Sequence, residues 1–145
     1  MTVSELMSEE EIQQAFEILR DFRGNLTEAA YLELVEDMSK QGYRMFGLRD
    51  SDRLVSVAGV RIISNFRWGR HLWVYDLVTG AADRSKGYGG ELLGWLEEFA
   101  ARNGCALVAL SSDISKSETH RFFEERMSYK RLSYVFTQSV SQENE

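Results

Sequence analysis

The sequence contains no proline, one cysteine and two histidines among its 145 residues. A single cysteine, Cys105, excludes an intrachain disulfide and fits a reducing compartment. Two histidines that lie far apart in the sequence, without clustered carboxylates, do not make a metal site. We attach no functional interpretation to the absence of proline.

Long apolar runs and a positive net charge are missing as well. No apolar run approaches the length that spans a bilayer, and residues 1–5 lack the basic and apolar regions of a secretory signal. The formal charge of −6 argues against non-specific binding of nucleic acid, which needs a basic face. We therefore expect a cytoplasmic protein that binds neither nucleic acid nor a membrane.

The composition is that of a folded globular protein. Hydrophobic residues make up 43% of the chain, and eight Phe, six Tyr and three Trp supply bulky side chains for a core. The length suits one domain, residues 1–145.

Hydrophobic periodicity predicts an α+β fold with a mixed, mostly antiparallel central sheet flanked by helices. The predicted helices cover 8–23, 27–42, 88–103 and 116–126, and the predicted strands cover 43–48, 54–63, 71–79 and 105–110. One or two further β segments are predicted over 129–132 and 134–140, the second because it alternates in polarity. Ser8 and Glu11 have the spacing of a capping box, and the second helix turns Tyr31, Leu34, Val35 and Met38 inward.

The most informative segment is the glycine-rich stretch 84–91, because it lies between the apolar strand 72–79 and a helix. Such a turn gathers free backbone N–H groups at the positive end of a helix dipole, where phosphate binds. It is not a Walker loop, since Lys86 precedes Gly87 and no Gly-Lys follows. It is not a dinucleotide fingerprint either, because the third glycine spacing is absent and three strands come first.

Arg-x-x-Gly-x-Gly between a strand and a helix resembles the acyl-CoA pyrophosphate loop of the GNAT (Gcn5-related N-acetyltransferase) superfamily. Other segments resemble a bacterial group of small GNAT proteins: Gly42-Tyr-Arg, Val57-Ala-Gly-Val-Arg-Ile62, Tyr75-Asp-Leu-Val-Thr79, Leu110-Ser-Ser and His120-Arg-Phe-Phe123. The resemblance covers about residues 8–136, and its most specific parts are 75–90 and 120–123.

The resemblance implies an acetyl-CoA-dependent N-acetyltransferase that acts on the amine of a small molecule or peptide. It implies that the backbone of Leu77, Val78 and Thr79 pairs with the pantetheine arm and that an N–H of Leu77 or Val78 meets the oxyanion. It assigns the pyrophosphate to the segment formed by Arg84, Ser85, Lys86, Gly87, Tyr88, Gly89 and Gly90. It also places Ser112 and Phe123 at the coenzyme.

The sequence departs from the GNAT pattern at three points. Phe123 stands where a tyrosine often protonates the leaving thiolate, and Ser128-Tyr129 replaces a Gly-Phe pair. Ser111 replaces an aspartate. A thiol with a pKa of about 8.5 leaves without much help, so these departures weaken the expectation of catalysis without removing it. Tyr129 or Tyr134 could supply the missing phenol, although both also suit the core or a pocket wall.

Asp76 is the best candidate for a general base. Strand alternation predicts that it shares a sheet face with Val74 and Val78, near the thioester, where a buried carboxylate can accept a proton from an ammonium group. The alternative is an aspartate that is hydrogen-bonded to a neighbouring loop. His120 could shuttle protons as a second catalytic residue, or it could bond a backbone carbonyl.

Three functional hypotheses follow. The first is the acetyltransferase, with a cationic amine as the favoured acceptor because the chain is acidic and Asp76 is available. The second is a non-catalytic acyl-CoA sensor, motivated by Phe123. The third is a regulatory subunit that works as a homodimer, with the C-terminal β segments as the interface.

Overall fold

The structure is a computed structural model that describes residues 1–20 and 24–142. It divides into two compact units, Met1–Leu110 and Ser111–Glu145. The prediction of a single domain over 1–145 stays a prediction. Phe22, which the sequence places in the first helix, lies outside the described residues.

Over residues 1–20 and 24–110 the first unit contains a five-stranded sheet and three α-helices. In chain order these are β1 (Thr2–Glu5), α1 (Glu9–Leu19), α2 (Glu28–Lys40), β2 (Arg44–Asp50), β3 (Arg53–Asn65), β4 (Gly69–Thr79), α3 (Tyr88–Arg102) and β5 (Val108–Leu110). A single 3₁₀ turn, Ala81–Asp83, lies between β4 and α3. The β1 strand precedes the predicted helices, and β5 is shorter than the 105–110 predicted for it.

The sheet confirms the predicted α+β class. Its strands follow the order β1-β2-β3-β4-β5. The first four strands pair antiparallel, whereas β5 pairs parallel to β4. A parallel neighbour needs a crossover connection, and α3 supplies it.

A two-residue turn joins β2 to β3. Ser51 and Asp52 have positive φ angles of 51° and 69°, which is the backbone of a tight hairpin whose twist matches that of the strands. The strands predicted over 43–48 and 54–63 are therefore joined as a hairpin.

The helices α1 and α2 cover one face of the sheet. Ala15, Phe16 and Tyr31 belong to one buried cluster together with Val57 and Val78 of the sheet. The ring centroids of Phe16 and Tyr31 lie 4.9 Å apart. Leu34, predicted to face inward, is instead 48% exposed, because the buried stripe of α2 is narrower than its apolar content suggests.

The helix α3 covers the opposite face. Leu92, Leu93 and Leu96 are fully buried. The ring of Phe46, from β2, lies 5.0 Å from each of the rings of Trp95 and Phe99. Phe99 is thus buried in this core, and Trp95 is half-buried beside it.

Local sequence signals define the helix starts. The Ser8 side chain accepts from the Glu11 backbone N–H, and the Glu11 carboxylate accepts from the Ser8 N–H, so the predicted capping box is confirmed. The Thr27 side chain caps α2 by accepting from the Ala30 N–H.

The second unit contains one helical segment, and residues 127–142 after it have no regular structure. A short helix, α4 (Ser117–Arg121), continues as a π-helical turn, Phe122–Arg126, which confirms the helix predicted over 116–126. No strand is present in 129–142, so the β segments predicted over 129–132 and 134–140 are wrong. A strand requires a hydrogen-bonded neighbour and a face to bury, whereas residues 130–142 are all exposed.

Candidate active site

A β-bulge interrupts β4 at the predicted general base. Gly59 of β3 pairs with Asp76, and the next residue, Val60, pairs with Val74. Tyr75 is therefore the extra residue on β4. In a bulge two successive residues oppose one residue of the partner strand, and the alternation of side chains shifts by one.

The bulge changes which residues share a face with Asp76. Val78 pairs with Val57, two positions from the Gly59–Asp76 pair, so Asp76 and Val78 share a face as predicted. Val74 lies beyond the bulge and faces the other side of the sheet. The predicted grouping of Val74 with Asp76 is therefore wrong, because alternation along a sequence does not reveal an inserted residue.

Beyond the bulge β4 loses its second neighbour. β5 pairs with β4 only from Leu72 to Val74. Within the described chain no strand pairs with Tyr75–Thr79 on the edge that faces away from β3. An extended group can add to such an edge through main-chain hydrogen bonds, and this edge belongs to Leu77, Val78 and Thr79.

A buried tyrosine holds the Asp76 carboxylate. The Tyr43 hydroxyl donates to Asp76 Oδ2 over 2.9 Å, and only 7% of Tyr43 is exposed. Burial, followed by the negative charge of Asp76, raises the pKa of Tyr43 well above its usual range. The phenol therefore keeps its proton and orients the carboxylate. Tyr43 lies in the loop between α2 and β2, so Asp76 has the hydrogen bond to a neighbouring loop that the sequence alternative describes.

A glycine makes room for this contact. A Cβ atom on Gly59 would lie 1.7 Å from the Tyr43 hydroxyl oxygen. The Tyr43 side chain therefore crosses β3 at the one point where no side chain stands in its way.

More aromatic rings surround the Asp76–Tyr43 pair. The ring centroid of Tyr75, which is 44% exposed, lies 6.0 Å from that of Tyr43 and 6.4 Å from that of Trp73. Tyr31, buried below, donates to the Ile12 carbonyl over 2.7 Å. Burial, with a smaller effect of Asp76, raises the pKa of Tyr31. Sequence reasoning assigned no site role to these four aromatic residues, although Tyr43 lay within the quoted Gly42-Tyr-Arg segment.

The glycine-rich segment begins α3 with free donors. Gly87 precedes the helix with a φ of 85°, a backbone that favours glycine. The first intrahelical bond runs from the Glu91 N–H to the Gly87 carbonyl. The N–H groups of Tyr88, Gly89 and Gly90 thus lie ahead of the helical ladder, at the positive end of the dipole.

An ion pair ties the start of this loop to the β2–β3 hairpin. Arg53 donates to both carboxylate oxygens of the buried Asp83, over 2.5 and 2.7 Å, and Lys86 Nζ lies 3.5 Å from Asp83 Oδ1. The hydrogen bonds from Arg53 lower the pKa of Asp83. Lys86, predicted to bind the cofactor, is therefore already paired with a carboxylate.

A second contact ties α3 to the same hairpin. The Tyr88 hydroxyl donates to Asp50 Oδ2 over 2.5 Å, and this bond raises the pKa of Tyr88. The Arg84 guanidinium donates through Nε to the Thr79 carbonyl over 3.3 Å. Ser85 has a positive φ of 66°, so the loop turns sharply there. The hairpin and the end of β4 thus shape the loop, and its backbone N–H groups are its main donors.

The remaining predicted residues lie in the second unit. A ring nitrogen of His120 lies 2.8 Å from the Asp113 carbonyl oxygen, which is the structural alternative considered for it. The ring of Phe123 contacts those of Phe122 and Tyr129, with centroids 5.4 and 5.9 Å away. Ser112 is half-buried. Tyr134 is 72% exposed, so it is neither a core nor a wall residue in this unit.

Residues 1–20 and 24–142 contain no group of three or more His, Cys, Asp or Glu residues that could hold a metal ion. None of the helices described there is long and apolar enough to cross a membrane.

Comparison with family models decides the family. The model of the acetyltransferase (GNAT) family matches residues 12–129. The chain belongs to the GNAT family. An uncharacterised N-acetyltransferase of Bacillus subtilis is 33% identical over 139 residues, which cover 95% of this chain and 98% of the relative. An aminoalkylphosphonate N-acetyltransferase of Salmonella typhimurium is 34% identical over 67 residues, 46% of this chain and 43% of that protein.

Solved structures share the fold. AAC(6')-Iy in complex with a CoA bisubstrate analogue matches 97% of both chains with a TM-score of 0.82 at 10% identity. A GNAT acetyltransferase of Staphylococcus aureus matches 97% of this chain and 100% of its own, with a TM-score of 0.72 at 21% identity. Because the family and the named relatives are acetyltransferases, this GNAT protein is an N-acetyltransferase. This conclusion favours the enzyme over the non-catalytic sensor.

Proposed function

We propose that this GNAT protein transfers the acetyl group of acetyl-CoA to the amine of a small molecule or peptide. The observation that carries the proposal is the course of one continuous segment. It runs from Asp76 on the bulge, through the unpaired edge 77–79, to the free N–H groups at the start of α3.

The chain offers a group for each part of acetyl-CoA. The edge of Leu77, Val78 and Thr79 would add the pantetheine arm as an extra strand. The N–H groups of residues 84–90, with the Arg84 guanidinium, would hold the pyrophosphate. The assignment of Ser112 and Phe123 to the coenzyme stays a prediction. Bound acetyl-CoA supplies an acetyl group that is activated as a thioester.

The acceptor amine would lie beside Asp76. In our proposal Asp76 accepts the proton of the ammonium group, directly or through water, and the Tyr43 phenol holds the carboxylate in position. A backbone N–H of Leu77 or Val78 stabilises the developing oxyanion. His120 remains a candidate proton shuttle. Two similar proteins support a small amine as acceptor: one is an aminoalkylphosphonate N-acetyltransferase, and the other, AAC(6')-Iy, is bound to a bisubstrate analogue that contains acetylneamine.

Calorimetric titration with CoA tests the cofactor site. Gly89 lies beside Thr79, because a Cβ at Gly89 would be 3.6 Å from Thr79 Oγ1. The Gly89→Trp variant would fill this space, and we expect its CoA affinity to fall by about tenfold or more. Gly94→Trp is the matched control, since a Cβ at Gly94 meets nothing within 4 Å. Equal CoA affinities of the wild type and Gly89→Trp would overturn the proposed pyrophosphate site at residues 84–90.

Turnover completes the test. The wild type should release CoA from acetyl-CoA when a suitable amine is present, measured as free thiol against a reaction without amine. CoA binding without turnover on any amine of a broad panel would contradict the proposed transfer.

The cytoplasmic location stays a prediction.

A further inference from the structure

The face of the sheet that carries Asp76 also carries an arginine. Arg61 pairs across the strands with Trp73 and lies two positions along β3 from Gly59, the partner of Asp76. Residues two apart on a strand share a face. Asp76 and Arg61 therefore present opposite charges on one side of the sheet.

Arg61 is half-buried and unpaired within the described chain. Its side chain passes over Gly42, where a Cβ would lie 3.5 Å from Arg61 Nε and 3.6 Å from its Cγ. No ion pair or hydrogen bond joins its guanidinium to residues 1–20 or 24–142, whereas Arg44 and Arg53 each bind a carboxylate through two hydrogen bonds. A partly desolvated guanidinium without a counter-charge is a costly group. An anion supplied by a ligand would offset that cost.

Aromatic rings lie on the same face as the two charges. Tyr43 and Tyr75 are in contact, and Tyr75 is in turn in contact with Trp73, which stands opposite Arg61. Such rings provide an apolar wall for methylene groups, and their faces attract an ammonium ion. Two positions along a strand span about 7 Å. A ligand that bridges the charges would therefore need a short chain between its amine and its anionic group.

We infer that the acceptor is an aminoalkyl acid whose ammonium group lies at Asp76 and whose anionic oxygens are bound by Arg61. The inference rests on the proposed function and names the substrate class of the same site. The guanidinium fork suits a phosphonate, a phosphate or a carboxylate, since all present paired oxygens. Peptide amines without a nearby anion would fit this face less well.

Initial rates with matched amines test the inference. The panel contains 3-aminopropylphosphonate, 4-aminobutyrate and propylamine, each with saturating acetyl-CoA at low ionic strength. The wild type should show a kcat/KM at least about tenfold higher for an anionic amine than for propylamine. The phosphonate and carboxylate arms distinguish the two oxyanion types.

The Arg61→Gln variant carries the decisive comparison. The ratio of kcat/KM for the preferred anionic amine to that for propylamine should fall by roughly tenfold to hundredfold. Arg102→Gln is the matched control, because it removes the same charge from the exposed end of α3 on the opposite face. An equal loss on all three amines would show a structural role for Arg61, and a wild-type preference for propylamine would overturn the inference.

A binding measurement separates this inference from the proposed reaction. Calorimetry of the CoA-saturated protein with 3-aminopropylphosphonate and 4-aminobutyrate needs no turnover. Binding that Arg61→Gln weakens by tenfold or more, without turnover of any amine, supports the acceptor class and contradicts the transfer. Turnover of propylamine by a protein that binds neither acid contradicts the acceptor class and supports the transfer.

Discussion

Asp76 owes its environment to neighbours that are distant in the sequence. Tyr43 reaches it across β3, and Gly59 leaves the space for that reach. The Tyr75 bulge turns Val74 away from it. A carboxylate that is held by a protonated phenol keeps one orientation, and a fixed orientation is what proton transfer to it requires.

The Asp76→Asn variant tests the role of the carboxylate. Because an amide cannot take the proton of the ammonium group, we expect kcat/KM to fall by about 10²- to 10⁴-fold. CoA affinity should stay within twofold of that of the wild type. Asp52→Asn is the control, since Asp52 lies in the hairpin turn at a positive φ that asparagine also adopts. A loss of less than threefold in Asp76→Asn would exclude Asp76 as the base.

The Gly59→Ala variant tests the space below Tyr43. The added methyl group would overlap the Tyr43 ring and hydroxyl, so we expect the free energy of unfolding to fall by about 1–3 kcal/mol. Urea unfolding measures this loss. In a Tyr43→Leu background the same change should cost clearly less, because the overlapping atoms are absent. Equal costs in the two backgrounds would mean that Tyr43 is not the residue displaced.

At the scale of elements, the glycine-rich loop that precedes α3 is held by a hairpin from elsewhere in the chain. Asp50 and Arg53 flank the β2–β3 turn and bind Tyr88 and Asp83 respectively. Two side-chain contacts thus set the position of the segment between β4 and α3. A loop that is placed in advance loses less conformational entropy when it binds a phosphate.

The pH dependence of the free energy of unfolding at acidic pH tests the Asp83 ion pair. Arg53 lowers the pKa of Asp83 in the folded state below its ordinary value of 3.8, so between these two pKa values the unfolded chain binds more protons. The free energy of unfolding therefore rises with pH in that window. The stabilisation is present above about pH 4 and is lost as the pH falls through the folded pKa.

Asp83→Asn should remove this contribution. We expect the unfolding free energy of the variant to depend less steeply on pH below about pH 4 than that of the wild type, measured by urea unfolding at a series of pH values. Arg53→Gln should reduce the same pH dependence of the unfolding free energy, whereas Asp52→Asn should leave it unchanged. If Asp83→Asn kept the pH dependence of the wild type, the ion pair between Arg53 and Asp83 would be contradicted.

At the scale of the whole molecule, the C-terminal segment presents apolar side chains to solvent. Leu132, Tyr134, Val135, Phe136 and Val140 are each more than half exposed. An exposed apolar run with unpaired backbone is a typical site of association. This observation keeps the homodimer a prediction, with the segment 132–140 instead of regular β segments as its interface.

Sedimentation velocity tests the homodimer. We expect the wild type to sediment as two chains at micromolar concentration and the double variant Tyr134→Asp, Phe136→Asp to sediment as one. Phe66→Asp is the control, because Phe66 is even more exposed but lies in the turn between β3 and β4. A monomeric wild type would contradict this prediction.

Local patterns were enough to predict most of the fold. The capping box at Ser8, the helix from Tyr88 and the order of the main strands each depend on residues close in the sequence. The alternation over 134–140 predicted a strand that is absent, because alternation describes a strand only when a neighbouring strand pairs with it. The inward position predicted for Leu34 was also wrong, since periodicity shows which residues align on a helix and not how wide the covered stripe is.

The sequence by itself determined the family, the strand–loop–helix around Arg84–Gly90 and the choice of Asp76, since each rests on neighbouring residues. Only the tertiary structure decided that Tyr43 binds Asp76, that Gly59 makes room for it and that Arg61 shares their face. These relations join strands through hydrogen bonds and a one-residue bulge, and neither the register of a sheet nor an inserted residue is encoded in local periodicity.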